Sequence, residues 1–278
     1  MPTLGVIIRF RDHESTLGAT LDGLMRQRRA PDLIVGVDTG STDGSADLLL
    51  ARGARIVRWD QPYHPSLVLN HGIAHCPTDL VMILSAHYVL EQDDVIDGFL
   101  EAMRDERVAC VSGREQREAL GERVTWADLV THGISSCTIY NNMCGVVRRA
   151  RWEELPFDRR IDWIDDFAWA IEQTRRGWIA ARTTFAARYI RNTQRPGHAD
   201  DRIRVRDTAR NLFAMANAYG LRMHWYGVPG TLRAVAWAGL RYALSLGRSR
   251  QAREELVAHR ARLNARFTWR RHNPFASA

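Results

Sequence analysis

Four short constellations in this chain carry residue types that can do chemistry. Asp38 closes the apolar run Leu33 to Val37 and opens the turn Thr39-Gly40-Ser41-Thr42-Asp43-Gly44. A carboxylate at the end of a buried strand is delivered to the rim of a sheet, where open α/β folds bind ligands. Asn70 and Gly72 lie in a segment from Tyr63 to Ala74 that begins with a proline-containing turn. Ser85-Ala86-His87 follows directly on the apolar run Leu80 to Leu84, and Asp165-Asp166 opens a Trp- and Phe-rich helical stretch. Taken singly, each also reads as local structure. Ser41 and Thr42 suit caps for a helix expected near Ala46, and paired acids suit a helix N-terminus, where the dipole favours the ionised form.

The elements that must position these residues alternate. Strands are expected at Leu4–Ile8, Leu33–Val37, Arg55–Val57, Leu80–Leu84 and Val108–Ser112. Helices are expected at Ser15–Gln27, Ala46–Ala51, Ser66–Ala74 and Asp93–Met103. Such alternation predicts parallel pairing and a sheet covered on both faces. Beyond Gly113 the regularity fades into a helical run at Trp126–Ile134, a strand-like run at Asn142–Val147 and a helix at Ile164–Arg176 stopped by Gly177.

Composition removes several classes of function. The 278 residues suffice for one large domain, or one with an appendage. No apolar stretch approaches the ~20 residues that span a bilayer. The strand-like run begins after three residues, so no secretory signal is expected and a cytoplasmic setting is. Cys76, Cys110, Cys137 and Cys144 form no CxxC pair, which speaks against structural zinc; Cys110, inside Val108 to Val111, reads as a buried free thiol. The chain lacks GxGxxG after its first strand, GxxxxGK[ST] and GxSxG, which argues against dinucleotide, P-loop and elbow-type serine chemistry. All 39 basic residues are arginine, and they are unevenly spread. From residue 202 onward there are 15 arginines against 3 acids, a net of +12; the preceding 201 residues carry 24 against 29, a net of −5. An acidic body with a basic tail differs from a uniformly basic nucleic-acid binder, so no nucleic acid is expected as partner.

The ordered set of segments is more specific than any member of it. A strand ending near Arg9, then VDTGSTDG at 37–44, LNHG at 69–72, ILSAH at 83–87 and WIDDFAWA at 163–170, with Gly177 beyond, resembles family-2 glycosyltransferases. ILSAH and VSGREQ at 111–116 look most like the bacterial branch that acts on cell-surface glycans, including rhamnosyltransferase-like members. The resemblance covers residues 4–190. It implies the nucleotide-diphospho-sugar transferase (GT-A) fold, an α/β architecture with a mostly parallel central sheet flanked by helices. Residues 1–201 would form the catalytic domain, with 1–113 as the nucleotide-sugar half and 114–201 as the acceptor and catalytic half. Residues 202–278 would form a basic helical extension.

Carried over by position, the resemblance makes Asp38 the carboxylate that hydrogen-bonds the nucleotide base, with Arg9 and Phe10 as the wall against which the base packs. Asn70, Ser85, Ala86, His87 and Arg114 join them as nucleotide-sugar contacts. Asp166 matches the general base that takes the acceptor's hydroxyl proton, and Asp165 stands where the family's paired Glu usually is. Trp163, Asn141 and Asn142 are expected on the acceptor side, though core packing and turns are equally natural roles for them. The family's Asp-x-Asp is here Ser85-Ala86-His87, and Asp-x-Asp supplies the hard oxygen ligands that suit Mg²⁺ or Mn²⁺ on a diphosphate. One reading keeps a divalent metal, with His87 and His198 as ligands. A second meets the leaving-group charge with arginine, Arg114 and Arg191. In a third, His87 only donates a hydrogen bond.

Moving a sugar from a nucleoside diphosphate builds negative charge on the leaving group, which a fixed cation in a dry cleft stabilises. The acceptor hydroxyl is a weak nucleophile and needs a carboxylate to take its proton. The expected reaction is direct displacement with inversion at the anomeric carbon, in assembly of a surface polysaccharide or glycolipid, with a glycan or lipid-linked acceptor. Two alternatives stand beside it: a degenerate protein that binds a nucleotide sugar without turnover, and a basic nucleic-acid-binding module. The tail mixes Leu232, Trp237, Leu240 and Tyr242 with Arg233 and Arg241, so residues 231–271 are expected either on an anionic membrane surface at the inner face of the plasma membrane or against the catalytic domain or a second subunit.

Overall fold

The computed structural model describes residues 1–113, 122–133, 139–161, 164–190 and 218–221. Of these, 1–113, 122–128, 139–159 and 165–190 belong to one compact unit, and the remainder to a second. Every described candidate residue lies in the first unit. Arg114, Trp163, Arg191, His198, Cys137 and, apart from 218–221, the proposed extension at 202–278 lie outside the described residues.

In chain order the elements are β1 (Leu4–Phe10), α1 (Glu14–Met25), β2 (Leu33–Asp38), α2 (Ser45–Leu50), β3 (Arg55–Arg58), α3 (Pro65–Ala74), β4 (Leu80–Leu84), β5 (Tyr88–Leu90), α4 (Val95–Ala102), β6 (Val108–Gly113), β7 (Arg123–Val124), α5 (Trp126–His132), β8 (Cys144–Arg148), α6 (Arg149–Glu154), α7 (Asp165–Arg175), β9 (Ile179–Thr183) and β10 (Ala187–Tyr189). The main sheet runs β3-β2-β1-β4-β8-β6-β9-β7, and β5 pairs with β10 in a separate two-stranded sheet. The four strands from β3 to β4 are mutually parallel, as the alternation predicts. The antiparallel strand β8 then enters between β4 and β6, and β9 runs parallel to β6.

Side chains alternate across a strand, so β1 sorts its residues onto two faces. Leu4, Val6, Ile8 and Phe10 join Leu17, Leu21 and Leu24 of α1, Phe99 of α4 and Met82 of β4 in one apolar layer. The opposite face takes Ile7 and Arg9. There α3 lies close: a Cβ on Gly72 would come within 2.8 Å of Val37 and 3.2 Å of Ile7, so only a glycine lets this helix approach so near. The expected buried thiol is found, and Cys76 and Cys144 are free and buried as well as Cys110. No helix among the described residues is long and apolar enough to cross a membrane.

Candidate active site

Asp38 ends β2 opposite Phe10 of β1. Its carboxylate is 7% exposed, and Oδ1 accepts the backbone N–H groups of Gly40 (3.1 Å) and Ser41 (2.8 Å). Gly40 sits at φ +99°, a conformation that glycine adopts without strain. The loop after β1 interlocks with this turn. Asp12 Oδ1 accepts the Thr42 N–H and hydroxyl, Glu14 Oε2 accepts the Gly44 N–H, and Asp43 Oδ2 accepts the Glu14 N–H. Ser41 and Thr42 therefore tie two rim loops together; the helix cap is Gly44, with no side-chain hydrogen bond.

Several of the expected ligand contacts are committed to the fold. Phe10, expected as a wall for the base, is 2% exposed within the apolar layer; the period-2 alternation that puts Arg9 on the α3 face turns Phe10 inward. Asn70 bonds to the chain through both ends of its amide. Its Nδ2 donates to the Phe157 carbonyl, while Oδ1 accepts from Trp152 Nε1 and Phe157 N. These bonds brace the segment after α6. Ala86 is buried and its carbonyl accepts the Thr16 hydroxyl. Asn141 Oδ1 accepts the Met143 N–H, closing a local turn.

Ser85 extends β4, its N–H donating to the Met143 carbonyl. His87 follows, and its partner comes from the start of α1, far away in sequence. His87 Nδ1 lies 3.4 Å from His13 Nε2, the rings stacked 18° apart, with Tyr189 edge-on to His87. His13 Nδ1 in turn contacts the Arg11 carbonyl at 2.8 Å. Among the described residues no three His, Cys, Asp or Glu side chains gather as a metal site. Among the described residues the donors at this place are the two imidazoles of His13 and His87, a set that fits poorly with a hard divalent cation, which selects carboxylate oxygens.

The acid pair stands at the first turn of α7, which packs against β9, β6 and α3. Asp166 Oδ2 accepts the Asn142 N–H at 2.9 Å and Oδ1 the Phe167 N–H at 2.7 Å. Asp165 is 3% exposed. Burial and then the neighbouring Asp166 charge push its carboxyl up to about 7. Burial also raises Asp166, against the pull of its two N–H donors and of Arg9. A helix-start dipole favours ionisation, but here desolvation outweighs it. Arg9 is the link to the other half of the site, since it attracts both carboxylates from the β1 tip. Tyr140, 2% exposed, feels both carboxylates too, and burial holds its hydroxyl neutral. Sequence reasoning assigns no role to His13 or Tyr140, because neither stands in a motif; only folding brings them beside His87 and the acid pair.

A mostly parallel sheet with a rim carboxylate on β2 and an acid pair at the head of α7 is the arrangement that the resemblance to nucleotide-sugar transferases implies. Residues 5–162, more than half of the 278, match the family model for glycosyl transferase family 2, and the chain belongs to that family. No curated protein sequence matches it. Among solved structures it is similar to mannosyltransferase PcManGT from Pyrobaculum calidifontis in complex with GDP-Man and Mn²⁺, at 15% identity and a TM-score of 0.62, over 97% of this chain and 87% of that one. It is also similar to glucosyl-3-phosphoglycerate synthase from Mycobacterium tuberculosis with Mn²⁺, UDP and glucosyl-3-phosphoglycerate, at 16% identity and a TM-score of 0.59, over 82% and 83% of the two chains. At these identities the likeness establishes the GT-A fold.

Proposed function

We propose that the protein is an inverting glycosyltransferase that moves a sugar from a nucleoside diphosphate to a hydroxyl acceptor, with Asp166 as general base. The observation that carries this reading is the union, through Arg9, of the β1–β2 rim and the buried acid pair. Oδ1 of Asp38 is engaged by its own turn, so Oδ2 is the atom offered to a base N–H. In the reaction the acceptor O–H bond breaks as its oxygen bonds to the anomeric carbon. The carbon–phosphate oxygen bond opens on the opposite face, its electron pair leaving with the diphosphate, and the proton passes to Asp166. A carboxylate so placed contributes roughly 10²–10⁴-fold.

His87 and Ser85 lie after β4, where the family's metal-binding acids would stand, and their chemistry suits hydrogen bonds to phosphate oxygens better than ligation of Mn²⁺ or Mg²⁺. The acceptor is read as a glycan or lipid-linked hydroxyl in surface polysaccharide or glycolipid assembly, with residues 231–271 against an anionic membrane from the cytoplasmic side. The resemblance to the bacterial surface-glycan branch and the tail's charge support that part.

The test is Asp166→Asn, assayed with a panel of UDP-, GDP- and dTDP-sugars. Donor turnover by the parent, lost in the variant while nucleotide binding persists, supports the reading. Binding without turnover in the parent instead identifies a nucleotide-sugar-binding protein.

A further inference from the structure

Three polar atoms around the acid pair are buried without a hydrogen-bond partner: Arg9 Nη1, the Tyr140 hydroxyl and Asp165 Oδ2. Leaving a carboxylate oxygen and a guanidinium N–H both dry and unpaired is costly, and a carboxylate escapes that cost by holding a proton. The two acids are unequally served. Each oxygen of Asp166 accepts a backbone N–H, from Asn142 and Phe167. Asp165 draws on the backbone N–H groups of residues 165 and 166, but its Oδ2 accepts none. With one oxygen unpartnered and the side chain the more deeply buried of the two, Asp165 is the acid on which negative charge is the more costly.

We propose that the pair holds one proton in the resting protein, lodged on Asp165, and that Arg9 is the positioning residue whose charge sets the pH at which that proton leaves. Like charges on adjacent residues, one of them buried, resist ionising together, so the pair titrates as a unit. Among the described residues, Cys110 from β6 and Tyr140 from the segment before β8 are the other titratable groups in range, and burial holds both neutral. Gly145 fixes the Tyr140 ring in place, since a Cβ there would come within 2.7 Å of it. Among the described residues, Arg9 supplies a positive charge that acts on both acids from β1. The consequence for mechanism rests on Asp166 being the base: its charge is ready for the acceptor's proton because Asp165 has already taken one.

The test is an infrared titration of buried carboxyl groups in the full-length protein, which needs neither donor nor acceptor. The parent should keep one protonated carboxyl up to about pH 7, and Asp165→Asn should remove that band. Arg9→Met should move the midpoint up by roughly one pH unit or more, and Arg9→Lys should return it toward the parent value. Arg9→Gln gives the same comparison should the methionine variant not fold. Absence of a protonated carboxyl above about pH 5, or an unchanged midpoint in the neutral Arg9 variants, overturns the proposal. Because the readout is spectroscopic, its outcome is separate from whether a sugar is transferred.

Discussion

The backbone N–H of Asn142 donates to Oδ2 of Asp166 at 2.9 Å, so the stretch just before β8 holds the carboxylate at the head of α7. The donor is main chain, which separates the two residues in mutagenesis. Asn142→Ala keeps that N–H and should lower turnover by less than about tenfold, whereas Asp166→Asn should lower it by roughly 10²–10⁴-fold. Steady-state rates with the donor found in the sugar panel check the contrast.

Asp165 makes stability depend on pH with a defined sign. Its carboxyl is raised from 3.8 to about 7 in the folded protein, so the folded state binds a proton that the unfolded state has released in that interval. Stability from this group is fully present below about pH 4 and is lost as pH climbs through the folded value. Asp165→Asn, always neutral, should therefore raise the melting temperature by several degrees at pH 8 and by little at pH 4. Calorimetric scans at the two pH values read it directly.

Asn70→Ala removes the acceptor for Trp152 Nε1 and Phe157 N and the donor to the Phe157 carbonyl in one step. Two buried donors lose their partner, and the expected cost is roughly 2–4 kcal/mol. Urea unfolding should show a lower midpoint, with nucleotide affinity little changed in the fraction that remains folded. A large loss of nucleotide affinity at full stability would return Asn70 to the ligand.

The His13–His87 pair bears on metal dependence. With imidazoles where carboxylates would be required, thermal stabilisation by UDP or GDP should be nearly indifferent to Mn²⁺ and should shrink in His87→Ala. Saturation at a hundred times Kd is worth about 2.7 kcal/mol, enough for a clear shift. A nucleotide shift seen only with Mn²⁺ refutes this reading of the donor set.

Much of the first half of the fold was legible in the sequence because its signals are local. Apolar runs bounded by turn residues mark β1 to β4 and β6 nearly at their observed limits, and the VDTGSTDG turn sits at the strand tip. The later half is harder to read. β5, β7, α6, β9 and β10 escape the sequence reading; four of them are strands of five residues or fewer, too short to show a period. The antiparallel insertion of β8 depends on chain direction, which periodicity does not encode. The same divide runs through the site. Asp38 and the acid pair are singled out by position in a motif and lie at the strand tip and helix head expected of them, while Asn70 and Phe10 stand in motif positions and are also engaged in packing. His13 and Tyr140 acquire meaning only from neighbours tens of residues away.

The interlocked rim loops have a thermodynamic corollary. Main-chain amides of Gly40, Ser41, Thr42, Gly44 and Ser45 are all occupied by carboxylates of the chain itself. A nucleotide docking there meets a surface whose freedom was surrendered during folding, so little further ordering accompanies association. Deuterium uptake at those amides should accordingly be slow in the free protein and barely altered by saturation with UDP or GDP.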